Sequence, residues 1–181
     1  MTKITIFEYG LMANDVYLDV QQAMLPTLTA YGWERLFDNT GDTHRAGFFA
    51  RIYYNPVFEH YVIAFRGTKL SSPGTLLADA QYAVGKKPKM YIKAEIFYAE
   101  FLTNLGGVDN PHAKISLTGH SLGGILAKLL GAETGLRAVA FNAPGIAKTL
   151  KELRTGDHPN IININSEKGL INKVGTRVGR E

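Results

Sequence analysis

Apolar and polar positions along the chain divide it into two halves with different periods. From residue 8 to residue 25, Leu11, Val16, Leu18, Val20 and Met24 lie on one imperfect apolar face, which predicts a helix ended by Pro26. Trp33 to Phe37 reads as a short strand, followed by turn chemistry at Asn39-Thr40-Gly41-Asp42. Residues 47–55 and 60–65 are rich in aromatic and β-branched side chains and are parted by Asn55-Pro56, so they are expected to form an antiparallel pair. Ser71-Ser72-Pro73-Gly74 predicts a loop, and Leu76 to Val84 a weak helix. Pro88 to Leu105 predicts a longer helix with Ile92, Ile96, Phe97, Phe101 and Leu105 on one side, stopped by Gly106-Gly107.

Beyond Asp109-Asn110-Pro111 the pattern becomes β-α-β-α-β: strand 114–118, helix 122–134 closed by Gly135, strand 137–142, a short helix 146–154 and strand 160–165. Such alternation predicts an α/β fold, with a mostly parallel central sheet, helices on both faces and antiparallel strands on the N-terminal side. No repeat or linker divides residues 1–181, which read as a single domain. Ligands of such sheets sit at the carboxyl ends of the strands. Thr68, Ser121, Asn142 and Ser166 all fall just past predicted strand ends.

Composition narrows the chemistry. Apolar residues make up 45% and charged residues 20%, as in an ordinary globular domain. The net charge is +4 but scattered, and Lys86-Lys87-Pro88-Lys89 forms the one tight cluster, read as a solvated loop, so nucleic acid is not an expected partner. The absence of cysteine excludes disulfides, thiol catalysis and cysteine-held metal. No run of about 18 apolar residues predicts a membrane span, and Met1 to Tyr9 does not read as a secretory leader. The expected location is the cytoplasm, or outside the cell by a route needing no such leader.

The most specific stretch is Gly119-His120-Ser121-Leu122-Gly123-Gly124, between a predicted strand and a predicted helix. G-x-S-x-G in that setting is a nucleophile elbow. The turn is sharp, so small residues are needed two positions before and after the serine. Ser121 is thereby expected to stand exposed above the sheet, its Oγ free to attack a carbonyl, with the Leu122 amide, opening the helix, as an oxyanion donor. A phosphate-binding loop fits less well, because no lysine follows the glycines at the required place. Phe65-Arg66-Gly67-Thr68 ends an earlier strand, where a backbone N–H and the Thr68 hydroxyl are placed to complete the oxyanion hole.

With Phe141-Asn142-Ala143-Pro144-Gly145 added, these motifs make the chain resemble the class 3 lipases, the fungal-lipase-like branch of the α/β-hydrolases. The likeness runs from about residue 10 onward. It implies hydrolysis of carboxylic esters in acylglycerols or phospholipids at a lipid surface, without a cofactor or metal. It implies Ser121 as nucleophile and Thr68 and Leu122 as oxyanion donors. Asp79 matches an acidic position of the family and reads as a structural, loop-tethering carboxylate. His120 occupies a position where the family's side chain packs beneath the turn and is not the base.

The resemblance weakens after Asn165. The family's acid falls just beyond this strand, but alignment on Gly175 places Gly169 there, which leaves Glu167 as the weak candidate acid. No histidine follows His158, which with His112 falls at the wrong end of the sheet, while His44 and His60 lie in turns or strand entries upstream, and all four read as exposed. The expectation is a serine hydrolase whose C-terminal part is missing, inactive or very weak over these residues alone. Transfer of the acyl group to an alcohol is chemically adjacent. The alternative is a non-catalytic lipid-binding or assembly module built on a lipase fold. A sheet edge without its terminal strand is expected to take a second copy, giving a homodimer, or a complementing C-terminal segment.

Overall fold

The computed structural model describes residues 3–38, 48–67, 89–106, 114–146, 158–166 and 179–180. Six strands form one sheet in sequential order: β1 (Glu34–Asp38), β2 (Ala50–Asn55), β3 (His60–Phe65), β4 (Lys114–His120), β5 (Arg137–Phe141) and β6 (Ile161–Ile164). The β1–β2 and β2–β3 pairs are antiparallel, and β3 to β6 run parallel. This is the predicted α/β-hydrolase-like sheet. The helices predicted at 76–84 and 146–154 lie outside the described residues, apart from Ile146.

Strand alternation sends side chains to two separate cores. Ile63 and Phe65 of β3 and Leu117 of β4 face α3 (Lys89–Asn104) and α4 (Leu122–Thr134), where Phe97, Phe101, Leu126, Leu129 and Leu130 are buried. Val62 and Ala64 face the other way, onto α1 (Ile6–Asp15), α2 (Pro26–Ala30) and Trp33. Each such side chain removed from water contributes about 1.5–3 kcal/mol, so burial on both faces fixes the register of β3 and β4.

The first helix is shorter than predicted. It starts at Ile6, where Thr5 and Glu8 form a capping box, and ends at Asp15, short of the predicted Met24 and Leu25. The Asp15 carboxylate accepts from the Leu25 N–H (2.8 Å), folding the chain back. Pro26 then opens α2 rather than closing a helix, since a proline at the first turn loses no hydrogen bond. Asp15 also takes hydrogen bonds from Tyr53 (2.6 Å) and Arg35 (2.9 Å) and pairs with buried Arg51, which forks onto Asp38 (2.6 Å). This buried ionic cluster locks α1 to β1 and β2.

Two histidines differ from expectation. His60 is half-buried, with Nε2 2.8 Å from Ser116 Oγ, and His158 is only 8% exposed. His44 and His112 lie outside the described residues. The outer edge of β6 carries Arg180, whose N–H donates to the Ile161 carbonyl (2.9 Å) and whose carbonyl accepts from the Asn163 N–H (2.7 Å). That stretch of the predicted open edge is therefore paired.

Candidate active site

Strand β4 passes into α4 through one residue. Ser121 has φ 56° and ψ −122°, a conformation costing a non-glycine residue on the order of 1–3 kcal/mol. It is held by its N–H donating to the Phe141 carbonyl of β5 (3.0 Å), and by its carbonyl accepting from the Ile125 N–H (3.1 Å) to begin the helix. Ser121 is 2% exposed, and its Oγ has no hydrogen-bond partner among the described residues. The Leu122 N–H belongs to the first turn of α4, where amides have no partner within the helix. The strained turn and the helix-opening amide are those of an elbow, but the hydroxyl is buried where the sequence led to an exposed one, and it has no partner among the described residues.

The glycines explain how the strain is held. A Cβ on Gly119 would lie 2.4 Å from the Gly123 backbone carbon, and one on Gly123 would lie 2.1 Å from the Phe65 carbonyl oxygen. On Gly124 it would meet the Ala143 Cβ at 2.6 Å. The start of α4 thus rests directly on the ends of β3 and β5, and any side chain at these positions would push it away.

Around the serine, the carboxyl ends of four parallel strands come together. At the end of β3, the Gly67 N–H donates to the Tyr17 hydroxyl (3.1 Å), which also lies 3.4 Å from His120 Nδ1. Tyr17 therefore couples the strand leading to Thr68 with the residue before Ser121. Burial lowers the His120 pKa below its ordinary value and so favours the neutral ring. At the end of β5, Asn142 (φ 45°) donates its N–H to the Ile164 carbonyl (2.8 Å) and accepts from the Ser166 N–H (2.7 Å). From inside α4, fully buried Lys128 donates to the Ala143 and Pro144 carbonyls and to Asn163 Oδ1 (3.4 Å). Ser121, Leu122, Asn142 and Ser166 are thus gathered at one edge. Thr68, Asp79, Glu167 and Gly169 lie outside the described residues. His60 and His158 lie at the opposite edge, beside the first residues of β3 and before β6.

Tyr17 and Lys128 were missed in the sequence. Lys128 carried a signal, as the one charge within Leu122 to Ala132. Tyr17 carried none, because its role depends on contact with residues 50 and 103 positions away.

Residues 8–160 match the Tle-like phospholipase domain. The chain belongs to that family. Among curated proteins, "Putative lipase ATG15" of Vanderwaltozyma polyspora is 42% identical over 73 residues, 40% of this chain and 12% of that protein. The protein of the same name from Saccharomyces cerevisiae is 53% identical over 51 residues, 27% of this chain and 10% of that one. The chain thus spans only about a tenth of these curated relatives. Among solved structures, Lip2 lipase from Yarrowia lipolytica superposes with a TM-score of 0.60 at 16% identity, covering 88% of this chain and 69% of that one. Rhizomucor miehei lipase gives 0.55 at 17% identity, over 78% and 52%. These similarities establish the lipase fold of this phospholipase-family chain. No helix among the described residues is long and apolar enough to cross a membrane.

Proposed function

We propose that this Tle-like phospholipase chain carries the nucleophile half of a lipid carboxylic-ester hydrolase. Ser121 Oγ attacks the ester carbonyl carbon, and the developing oxyanion accepts from the Leu122 N–H and from Thr68. A general base takes the serine proton and returns it to the departing alkoxide as the C–O bond breaks, and water then releases the fatty acid from the acyl-serine. The observation that carries the reading is the Ser121 backbone at φ 56°, held at a helix N-terminus with its Oγ unengaged. Fold and family membership support it.

The base sets the expected rate. Among the described residues His120 faces Tyr17 and His60 and His158 sit at the far edge of the sheet, so none of these rings is placed as the base. A serine site without its histidine retains only what binding and oxyanion stabilisation supply. These 181 residues on their own are therefore expected to acylate slowly and turn over hardly at all. Incubation with a p-nitrophenyl ester, followed by intact-mass and peptide mass spectrometry, tests both parts. The expected result is a slowly accumulating single acyl adduct on Ser121, absent from Ser121→Ala. An adduct elsewhere with Ser121 unmodified overturns the assignment of the nucleophile. Rapid multiple turnover that Ser121→Ala abolishes overturns the missing base, and no adduct at all favours the non-catalytic lipid-binding module.

A further inference from the structure

At the amino ends of β3, β4 and β5, on the edge away from Ser121, lies a cavity of about 480 Å3. The strand register builds it: His60 is paired with Lys114, and Ser116 with Arg137, so one strand entry after another delivers a basic side chain to the same rim. Lys3 reaches the cavity from the segment before α1. Lys114 is held against the wall by a hydrogen bond from Nζ to the Phe58 carbonyl (3.3 Å), and the Arg137 guanidinium sits 5.6 Å from the centre of the Tyr9 ring. Among the described residues no carboxylate pairs with Lys3, Lys114 or Arg137. The nearby Glu8 is already used, accepting from Thr5 and from Trp33 Nε1 (2.9 Å).

The floor is polar. The Tyr9 hydroxyl donates to Ser116 Oγ (2.8 Å), which also lies 2.8 Å from His60 Nε2. The cavity therefore combines three positive charges and the His60 ring with an apolar wall of Ile4 and Phe58. Three cations around one cavity repel each other unless an anion joins them, and their number exceeds what a single carboxylate neutralises. The best match is an anion rich in acceptor oxygens and carrying about two charges.

We propose that this cavity binds a phosphate group, with Lys3, Lys114 and Arg137 as its counter-charges, and that the Ile4 and Phe58 wall receives whatever apolar substituent the phosphate carries. The site stands apart from the Ser121 chemistry and does not depend on it.

The test is titration calorimetry on the full chain carrying Ser121→Ala, with inorganic phosphate, octyl phosphate below its micellar concentration, and octyl glucoside. Saturable 1:1 binding of a phosphate compound is expected, weakened about tenfold or more, some 1.4 kcal/mol, in the double variant Lys114→Gln/Arg137→Gln. Both positions are exposed. The charge-preserving pair Lys114→Arg/Arg137→Lys is expected to stay near the parent affinity. Tighter binding of octyl phosphate than of inorganic phosphate supports the site and assigns it to a lipid head group. Equal affinities support it and assign it to free phosphate. The proposal is overturned if neither phosphate compound binds, if the Gln pair binds as the parent does, or if octyl glucoside matches octyl phosphate.

Discussion

Strand β4 carries two serines in opposite circumstances. Ser116, near its start, lies in regular strand and is fully buried in a hydrogen-bond chain between Tyr9 and His60. Ser121, just past its end, lies outside every regular conformation and leaves its Oγ without a partner among the described residues. The serine beside a histidine is thus the one without an elbow, and the serine in the elbow has no histidine bonded to it among the described residues. Proximity to an imidazole does not make a nucleophile. Ser116 has no helix N-terminus at its carbonyl side, whereas Ser121 has the strained turn and the amide of α4. The two ends of one strand divide into a satisfied structural site and a strained one.

The largest expected effect tests whether the elbow is held by backbone packing. In Gly123→Ala the new Cβ would lie 2.1 Å from the Phe65 carbonyl oxygen, so either β3 or α4 must shift. A cost of about 3 kcal/mol is expected, read as a loss of roughly 6–12 °C in melting temperature. If this variant melts within a degree or two of the parent, α4 does not rest on β3 as described.

Lys128→Met comes next. It keeps the length of the side chain but leaves the Ala143 and Pro144 carbonyls without their buried ammonium donor. Urea unfolding is expected to show a loss of about 2 kcal/mol. Unchanged stability would mean that the loop after β5 is held by its other contacts, such as the Asn142 bonds to Ile164 and Ser166.

The legibility of these features followed the length scale of the forces that make them. Period-2 and period-3.6 patterns recovered β2, β3, α3, β4, α4 and β5 closely, because each is a local apolar pattern with glycine or proline at its boundaries. The elbow was legible because its spacing is local, with Gly119 packed on Gly123 within the turn, although Gly123 and Gly124 also answer to Phe65 and Ala143 far along the chain. What stayed hidden was non-local. The chain reversal after Asp15 depends on Leu25, Arg35, Arg51 and Tyr53 converging on one carboxylate, and no periodicity announces that. His60 read as an exposed strand-entry residue because its partner Ser116 is 56 positions away.

The far edge is expected to be sensitive to pH. Burial, then the charges of Lys114 and Arg137, lower the His60 pKa from 6.5 to about 4. A group lowered on folding binds its proton more readily in the unfolded chain, so its contribution is fully present above pH 6.5 and fades as the pH falls toward 4. Because the ring is partly open to solvent, the loss is expected to be roughly 1–2 kcal/mol rather than the full value of the shift. Urea midpoints at neutral and acidic pH, compared between the parent and His60→Gln, measure it. The variant is expected to show the flatter profile, and equal slopes would break the link between His60 and the fold.

The smallest pair of changes bears directly on the two serines. Ser121→Gly removes both a side chain forced to φ 56° and a buried hydroxyl lacking a partner, so it is expected to stabilise the chain by about 1 kcal/mol while ending acylation. Ser116→Ala strips Tyr9 and His60 of their shared partner and is expected to cost about 1 kcal/mol with acylation of Ser121 preserved. Chemical denaturation of both variants, run beside the acylation assay, gives four readings from two substitutions. Opposite signs in stability and opposite outcomes in acylation are the expected pattern. If both variants lose stability, Ser121 carries no strain to release, and the elbow is only a tight turn. A protein bears a strained residue where removing it would improve the fold and impair the chemistry, so a gain in stability on losing Ser121 would separate a site kept for its chemistry from one kept for packing.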